Sequence, residues 1–177
     1  MRRVTLFGWM SLLLAVSSPV IAQAPQPGPE ANKLAVFAGT WRYEGEAKAT
    51  PMGPAAKVSG TETGRMVMGG FGLEWKGKEK GAFGDVQWSE ADVYDAASKT
   101  YPYLGVQSDG TIWSGSNVVS QDVWKATGTI TSKGVSYKFR QEASPSADGK
   151  SWTSKSEISA DGKTWEPWTE VTMTKAK

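Results

Sequence analysis

Glu90 and Asp92 are the residues whose type and spacing point most directly to chemistry. Two apart on an extended segment, they face the same way, and Trp88 faces with them. Turned inward, they would be two carboxyls in an aromatic environment, where loss of water raises a carboxyl pKa and suits proton transfer. Turned outward, they are solvated charges. The outward arrangement is expected, because Ala91 and Val93 then point into the core. Glu62, Arg65, Glu74, Tyr94 and Arg140 could complete a polar site, and no spacing singles any of them out.

The absent residue types limit the chemistry further. The 177 residues include no His and no Cys. That removes Ser-His-Asp and Cys-His catalysis, thiolate metal sites and imidazole-ligated zinc or haem. A metal would have to sit among oxygens, and the sequence has no EF-hand-like run of acidic ligands. No metal and no cofactor is expected. Without disulfides, the core alone must hold the fold together.

The N-terminus has the pattern of a leader. Arg2 and Arg3 precede a mostly apolar run from Val4 to Val16, and Ala22-Gln23-Ala24 is a small-x-small cleavage site. Residues 1–24 are therefore assigned as a secretory signal peptide and set aside from the fold. The apolar run is shorter than the ~20 residues that span a bilayer, so no stable membrane anchor is expected after cleavage. Cleavage after Ala24 leaves 153 residues with 18 basic and 18 acidic side chains. A formally neutral chain gives no case for a nucleic-acid partner. The expected location is the periplasm or the medium, and the expected state is a monomer.

The elements that would position these residues come next. Residues 25–33 form a Pro-rich spacer, and 34–177 form the folded domain. Glu30 to Phe37 suits one or two helical turns, with Leu34 and Phe37 facing the body. From Trp41 the alternation is clean: Trp41, Tyr43, Gly45 and Ala47 on one face, Arg42, Glu44, Glu46 and Lys48 on the other. Phe71, Leu73 and Trp75 alternate with Gly72, Glu74 and Lys76. Val135, Tyr137 and Phe139 oppose Ser136, Lys138 and Arg140. Gly77 to Gly84 reads as a charged connection or a frayed strand end. About ten short strands with frequent turn signals predict an all-β barrel or sandwich.

Ser146-Ala147-Asp148-Gly149-Lys150-Ser151-Trp152 and Ser159-Ala160-Asp161-Gly162-Lys163-Thr164-Trp165 are near-copies, 13 residues apart. They approach the Asp-box of sialidase-like propellers, but lack its residue between Asp and Gly and lie too close together for one per blade. Asp-Gly here supplies hairpin turns, as at Asp109-Gly110. Of the nine Trp, eight lie beyond the leader. Most are expected to fill the core. Trp165 and Trp168 flank Pro167, and one of them is the best candidate for an exposed or cavity-lining aromatic.

Phe37-Ala38-Gly39-Thr40-Trp41 resembles the start of a calycin, the lipocalin and fatty-acid-binding-protein superfamily. There, a Gly-x-Trp opens the first strand and its Trp plugs one end of the barrel. More of the chain resembles a bacterial family known only as domain of unknown function 1579. The shared pieces are Gly39-Thr40-Trp41, Gly60-Thr61-Glu62-Thr63, Met68-Gly69-Gly70-Phe71, Val93-Tyr94-Asp95 with Lys99 to Tyr101, and Asp161-Gly162-Lys163. They extend over Leu34 to Lys175. The resemblance implies a single antiparallel calycin-like barrel in which the first and last strands meet. Lipocalins place an Arg on the last strand over the motif Trp, and Lys175 is its counterpart here. That family supplies no activity and no catalytic residues.

The function expected is binding of a small apolar or amphipathic ligand inside the barrel. Trp41, Tyr43, Phe71, Leu73, Trp75, Tyr137 and Phe139 would line the interior, with Gly45, Gly60 and Gly64 leaving room. One rival is a lyase or isomerase that uses Glu, Tyr and Arg in place of His. The other is a carbohydrate-binding or envelope interaction module using exposed Trp. A cavity holding an ionisable cluster would favour the enzyme, and a filled barrel the module.

Overall fold

Period-2 alternation builds almost all of this protein. Its structure is a computed structural model that describes residues 26–81 and 83–176. The proposed leader, residues 1–24, lies outside the described residues.

Pro29–Asn32 forms one α-helical turn (α1), continued by the 3-10 turn Lys33–Phe37. The helical turns expected over Glu30 to Phe37 are thus present, starting one residue earlier at Pro29. Pro29 fits there because the first helical turn needs no N–H from it and its φ is already set. Ala31, Leu34 and Phe37 are buried.

Ten strands follow: β1 (Gly39–Ala47), β2 (Ala56–Val67), β3 (Gly72–Gly81), β4 (Gly84–Val93), β5 (Tyr101–Gln107), β6 (Ile112–Ser120), β7 (Val123–Ser132), β8 (Val135–Pro145), β9 (Ser151–Ser159) and β10 (Glu166–Lys175). Each pairs antiparallel with the next, and β10 returns to pair with β1. The register runs from Trp41 opposite Lys175 to Ala47 opposite Thr169. Closure leaves no unpaired sheet edge. The calycin-like barrel implied by the Gly-x-Trp opening is thus the observed fold.

The run from Gly77, expected as a charged connection or a frayed strand end, is the second half of β3. Lys76, Lys78 and Lys80 are exposed while Gly77 and Glu79 lie on the inner face, so the charge run is itself a strand alternation. The Asp-Gly pairs make turns as expected. Gly110, Gly149 and Gly162 adopt φ of +89°, +65° and +75°, a region glycine enters without steric cost. The Thr164 and Lys163 N–H groups bond the Asp161 carboxylate and hold its pKa down to about 2.

The α1 turn and its 3-10 extension close the end of the barrel where β1 begins and β10 ends. Phe37 is the centre of that plug: its ring centroid lies 4.7 Å from Trp152, 4.9 Å from Trp124 and 5.6 Å from Trp75. Trp41 is fully buried, and its indole N–H donates to the Phe37 carbonyl at 2.9 Å. Lys175 Nζ stands 5.2 Å from the Trp41 ring. Nearer the other end, Met52 from the β1–β2 connection and Phe83 from the β3–β4 turn join Tyr103, Ile130, Phe139 and Ile158 in a second cluster.

Candidate functional site

Residues of both clusters line a cavity of about 320 Å³ inside the barrel. Its walls form because large and small inward residues pair across strands. Gly77 on β3 is opposite Trp88 on β4, and Gly105 on β5 is opposite Trp113 on β6. A Cβ on Gly77 would stand 2.2 Å from the Trp88 ring, and one on Gly105 would stand 2.0 Å from Trp113. The indoles lie flat on the neighbouring backbone where a side chain is missing. The same holds at Gly60, where a Cβ would be 2.4 Å from Tyr43. Gly45 meets the backbone of Glu170, and Gly64 meets the carbonyl of Phe37. The glycines expected to leave room for a ligand are thus already covered by rings or backbone.

Four carboxylates stand on the cavity wall: Glu62 from β2, Glu79 from β3, and Glu90 and Asp92 from β4. The registers order them by depth. Asp92 is opposite Leu73, Glu90 opposite Trp75, Glu62 opposite Gly77, and Glu79 opposite Gly60. Asp92 is nearest the plug and Glu79 farthest, in steps of about 7 Å, two strand residues each. Among the described residues no Lys or Arg lines the cavity.

The inward placement of Glu90 and Asp92 corrects the expected outward one. Directly paired residues of an antiparallel ladder share a face. Their partners Trp75 and Leu73 are buried inward, so the carboxylates follow, and Ala91 is exposed instead. The apolar character of Ala91 and Val93 was outweighed by register.

The polar contacts around this row are few. Trp113 Nε1 donates to Glu90. Asn117 Nδ2 donates to Asp92 Oδ1 at 3.4 Å, while Asp92 Oδ2 has no partner although Asp92 is only 4% exposed. Tyr43 donates to Glu79 at 3.1 Å and accepts from Trp88 Nε1 at 3.4 Å. Tyr103 donates to the Thr127 carbonyl at 3.1 Å. The Gln107 Nε2 group is buried and unpartnered.

All four acids are pushed up. Burial, with the charges of Glu90 and Glu79, raises Glu62 to about 8. Burial raises Glu90 to about 6 against the hydrogen bonds from Trp113 and Asp92. Asp92 is raised well above the ordinary range by burial and by the charge of Glu90. Burial also raises Glu79, offset by the Tyr43 hydroxyl. The charge of Glu90 opposes ionisation of Asp92, so the two carboxyls titrate as a coupled pair.

Of the seven lining residues expected, Tyr43, Leu73, Trp75 and Phe139 lie on the cavity wall. Trp41 is in the plug and does not reach the cavity. Phe71 precedes β3 in a turn and is 37% exposed, because the strand starts only at Gly72. Tyr137 packs in the second cluster outside the lining. Among the residues that could complete a polar site, only Glu62 lines the cavity. Arg65 pairs with Glu74 at 3.0 Å on the exterior. Tyr94 stacks on Tyr101. Arg140 lies outside, bonded to Glu157 at 2.5 Å and stacked 4.4 Å over Trp165. Trp168, weighed as an exposed or a cavity-lining aromatic, lines the cavity.

Sequence reasoning missed Glu79, Trp88, Trp113 and Tyr103 as lining residues. A signal for the acids was present: Glu62 is in phase with Val58 and Met66, and Glu79 with Leu73 and Trp75. A carboxylate on the apolar phase of a strand is a buried one.

A closed antiparallel barrel, plugged by aromatics at one end and hollow beside the plug, belongs to the calycin-like class. The chain belongs to the family described as protein of unknown function (DUF1579), whose model matches residues 26–174. No curated protein matches it. Among solved structures it is similar to the crystal structure of Rv2717c from M. tuberculosis, with 12% identity and a TM-score of 0.60 over 86% of this chain and 100% of that one. A de novo designed fluorescence-activating β-barrel aligns at 14% identity with a TM-score of 0.44 over 82% of this chain and 98% of the design.

Proposed function

We propose that the protein binds a small amphipathic molecule inside its barrel. The cavity carries this proposal. Its 320 Å³ falls at the lower end of the ~300–1,000 Å³ usual for small-molecule sites, which are mostly apolar with a few placed polar groups. Half a turn around the barrel from β3, Ala126 and Ile130 on β7 and Phe139 on β8 give the wall an apolar stretch. The four carboxylates gather on the β2–β4 side.

The test is direct, because Trp75, Trp88, Trp113, Trp124 and Trp168 all border the cavity. A neutral aromatic dye or a short fatty alcohol should change tryptophan emission saturably at tens of micromolar, and Trp75→Ala should weaken the effect. If no such probe gives a saturable change, the cavity is not a binding site. Export goes with this proposal: mature protein from the host should begin at or near Pro25, and intact Met1 on it would contradict secretion.

The Glu90–Asp92 pair supports a second function, acid–base catalysis. It is the weaker of the two. Chemistry that builds negative charge on a substrate needs donors aimed at that charge. Here the Trp, Tyr and Asn donors named above are engaged, leaving Gln107, and the neighbours are acids. Turnover by Trp75→Ala protein but not by Glu90→Gln protein would favour it.

A further inference from the structure

The cavity has a polarity that the general proposal leaves open. Its wall holds four carboxylates and no basic side chain. The lysines nearest in sequence, Lys76, Lys78 and Lys80, are all exposed on the other face of β3. Among the described residues no arginine or lysine lines the cavity to neutralise the row, and Asp92 Oδ2 makes no hydrogen bond while almost wholly buried. An ionised carboxylate in such a place is costly unless it is paired.

We infer that the natural occupant is an amphipathic organic cation, a protonated amine or quaternary ammonium group carried on an apolar body. This rests on the cavity being a binding site. The charged head would lie against the Glu90–Asp92 pair, facing Asp92 Oδ2. The edges and faces of Trp75, Trp88 and Trp113 border the same region, and aromatic faces attract cations. The apolar body would lie along the Ile130–Phe139 side. A bare metal ion suits the row poorly: its acids are spread over successive depths, and among the described residues no three converge as metal ligands.

A cation entering here would also displace protons. Six titratable groups face the cavity: Tyr43, Glu62, Glu79, Glu90, Asp92 and Tyr103. The four acids are all raised by burial. A fixed positive charge beside them favours their ionised forms, so binding releases protons near neutral pH.

The experiment uses one apolar body with three heads: 4-phenylbutylamine, 4-phenylbutanol and 4-phenylbutyrate, titrated against the full mature chain by tryptophan emission. The amine should bind ~10-fold or more tighter than the alcohol, as a charge-assisted contact worth about 1.4 kcal/mol requires, and the carboxylate weakest. A trimethylammonium version, whose charge does not titrate, should bind tighter at pH 8 than at pH 5. Calorimetry in two buffers of different ionisation heat should show proton release for it and none for the alcohol. In Glu90→Gln/Asp92→Asn protein the amine's advantage should vanish while the alcohol binds at least as well as before, which separates lost charge from lost fold. Equal binding of all three heads, or preference for the alcohol or the carboxylate, overturns the cation proposal and leaves the cavity proposal standing. Failure of every probe overturns both.

Discussion

The two ends of the barrel interior are built from the same materials and do opposite things. At the plug, Phe37 meets Trp75, Trp124 and Trp152 ring to ring, Trp41 is buried in the same cluster, and that cluster holds no carboxylate. Beside it, Trp88 and Trp113 lie over glycines and face four acids. In the plug, aromatic burial contributes stability. On the acid wall, similar rings keep water away from carboxylates and make their ionisation unfavourable. A barrel can thus be rigid at one end and electrostatically frustrated a few residues away, provided the dry end supplies the excess.

The largest expected effect lies in the plug. Trp41→Ala should cost ~3–5 kcal/mol, the usual loss for deleting a buried aromatic. The loss should be the same at pH 4 and pH 8 in urea unfolding. A cost below about 1 kcal/mol would place closure elsewhere than at Trp41.

Next comes Glu62, where the sign reverses. Its folded pKa of about 8 lies above the ordinary 4.5. Below pH 4.5 both folded and unfolded states hold the proton, and the residue is neutral in its effect. As pH rises toward 8, the unfolded chain releases the proton while the folded one keeps it, so stability falls. Glu62→Gln removes that loss and should stabilise the protein by about 4 kcal/mol at pH 8, with no gain at pH 4. A pH-independent change would erase the contrast between the two ends.

Gly105→Ala should destabilise by about 1.5 kcal/mol through overpacking against Trp113 and should move the indole off Glu90, visible as a changed near-UV circular dichroism. An unchanged spectrum would mean the ring does not depend on the glycine. The smallest effect belongs to Lys175→Gln, about 0.5 kcal/mol from the lost cation–ring contact with Trp41. A loss as large as that of Trp41→Ala would make Lys175 part of the plug rather than its cover.

The plug was legible in the sequence; of the acid wall, only Glu62 and Glu79, in phase with apolar neighbours, carried a signal. Trp41 and Tyr43 alternate with charged residues, so period 2 alone placed them inside. The Gly-x-Trp opening suggested the closure partner, and Lys175 is found opposite Trp41. Glu90 and Asp92 resist that logic because their strand offers Ala91 and Val93 as a plausible inner face. The choice is made by β3, where Leu73 and Trp75 fix the register, and long-range pairing of this kind leaves no trace within one strand. Phe71 failed for a local reason: Gly69 and Gly70 turn the chain just before it, at φ of +67° and +98°, and β3 starts one residue later. The role of the inward glycines was hidden likewise, since a missing side chain reads as space until the neighbouring ring is known.

The single return pairing, β10 with β1, has a consequence for how the chain folds. Nine of the ten strand pairings join neighbours in sequence and cost only the closing of short loops. The tenth joins residues 41 and 175 and must wait for the last strand. Because Trp41 sits on that pairing, its indole stays wet until the ring completes, and the plug locks last. Since β1 starts and β10 ends at the same rim, a circular permutant that links them and opens the hairpin at Lys133-Gly134 would make the β10–β1 pairing a local hairpin and pass the long-range step to β7 and β8, so that Trp41 is covered early rather than last without altering the finished barrel.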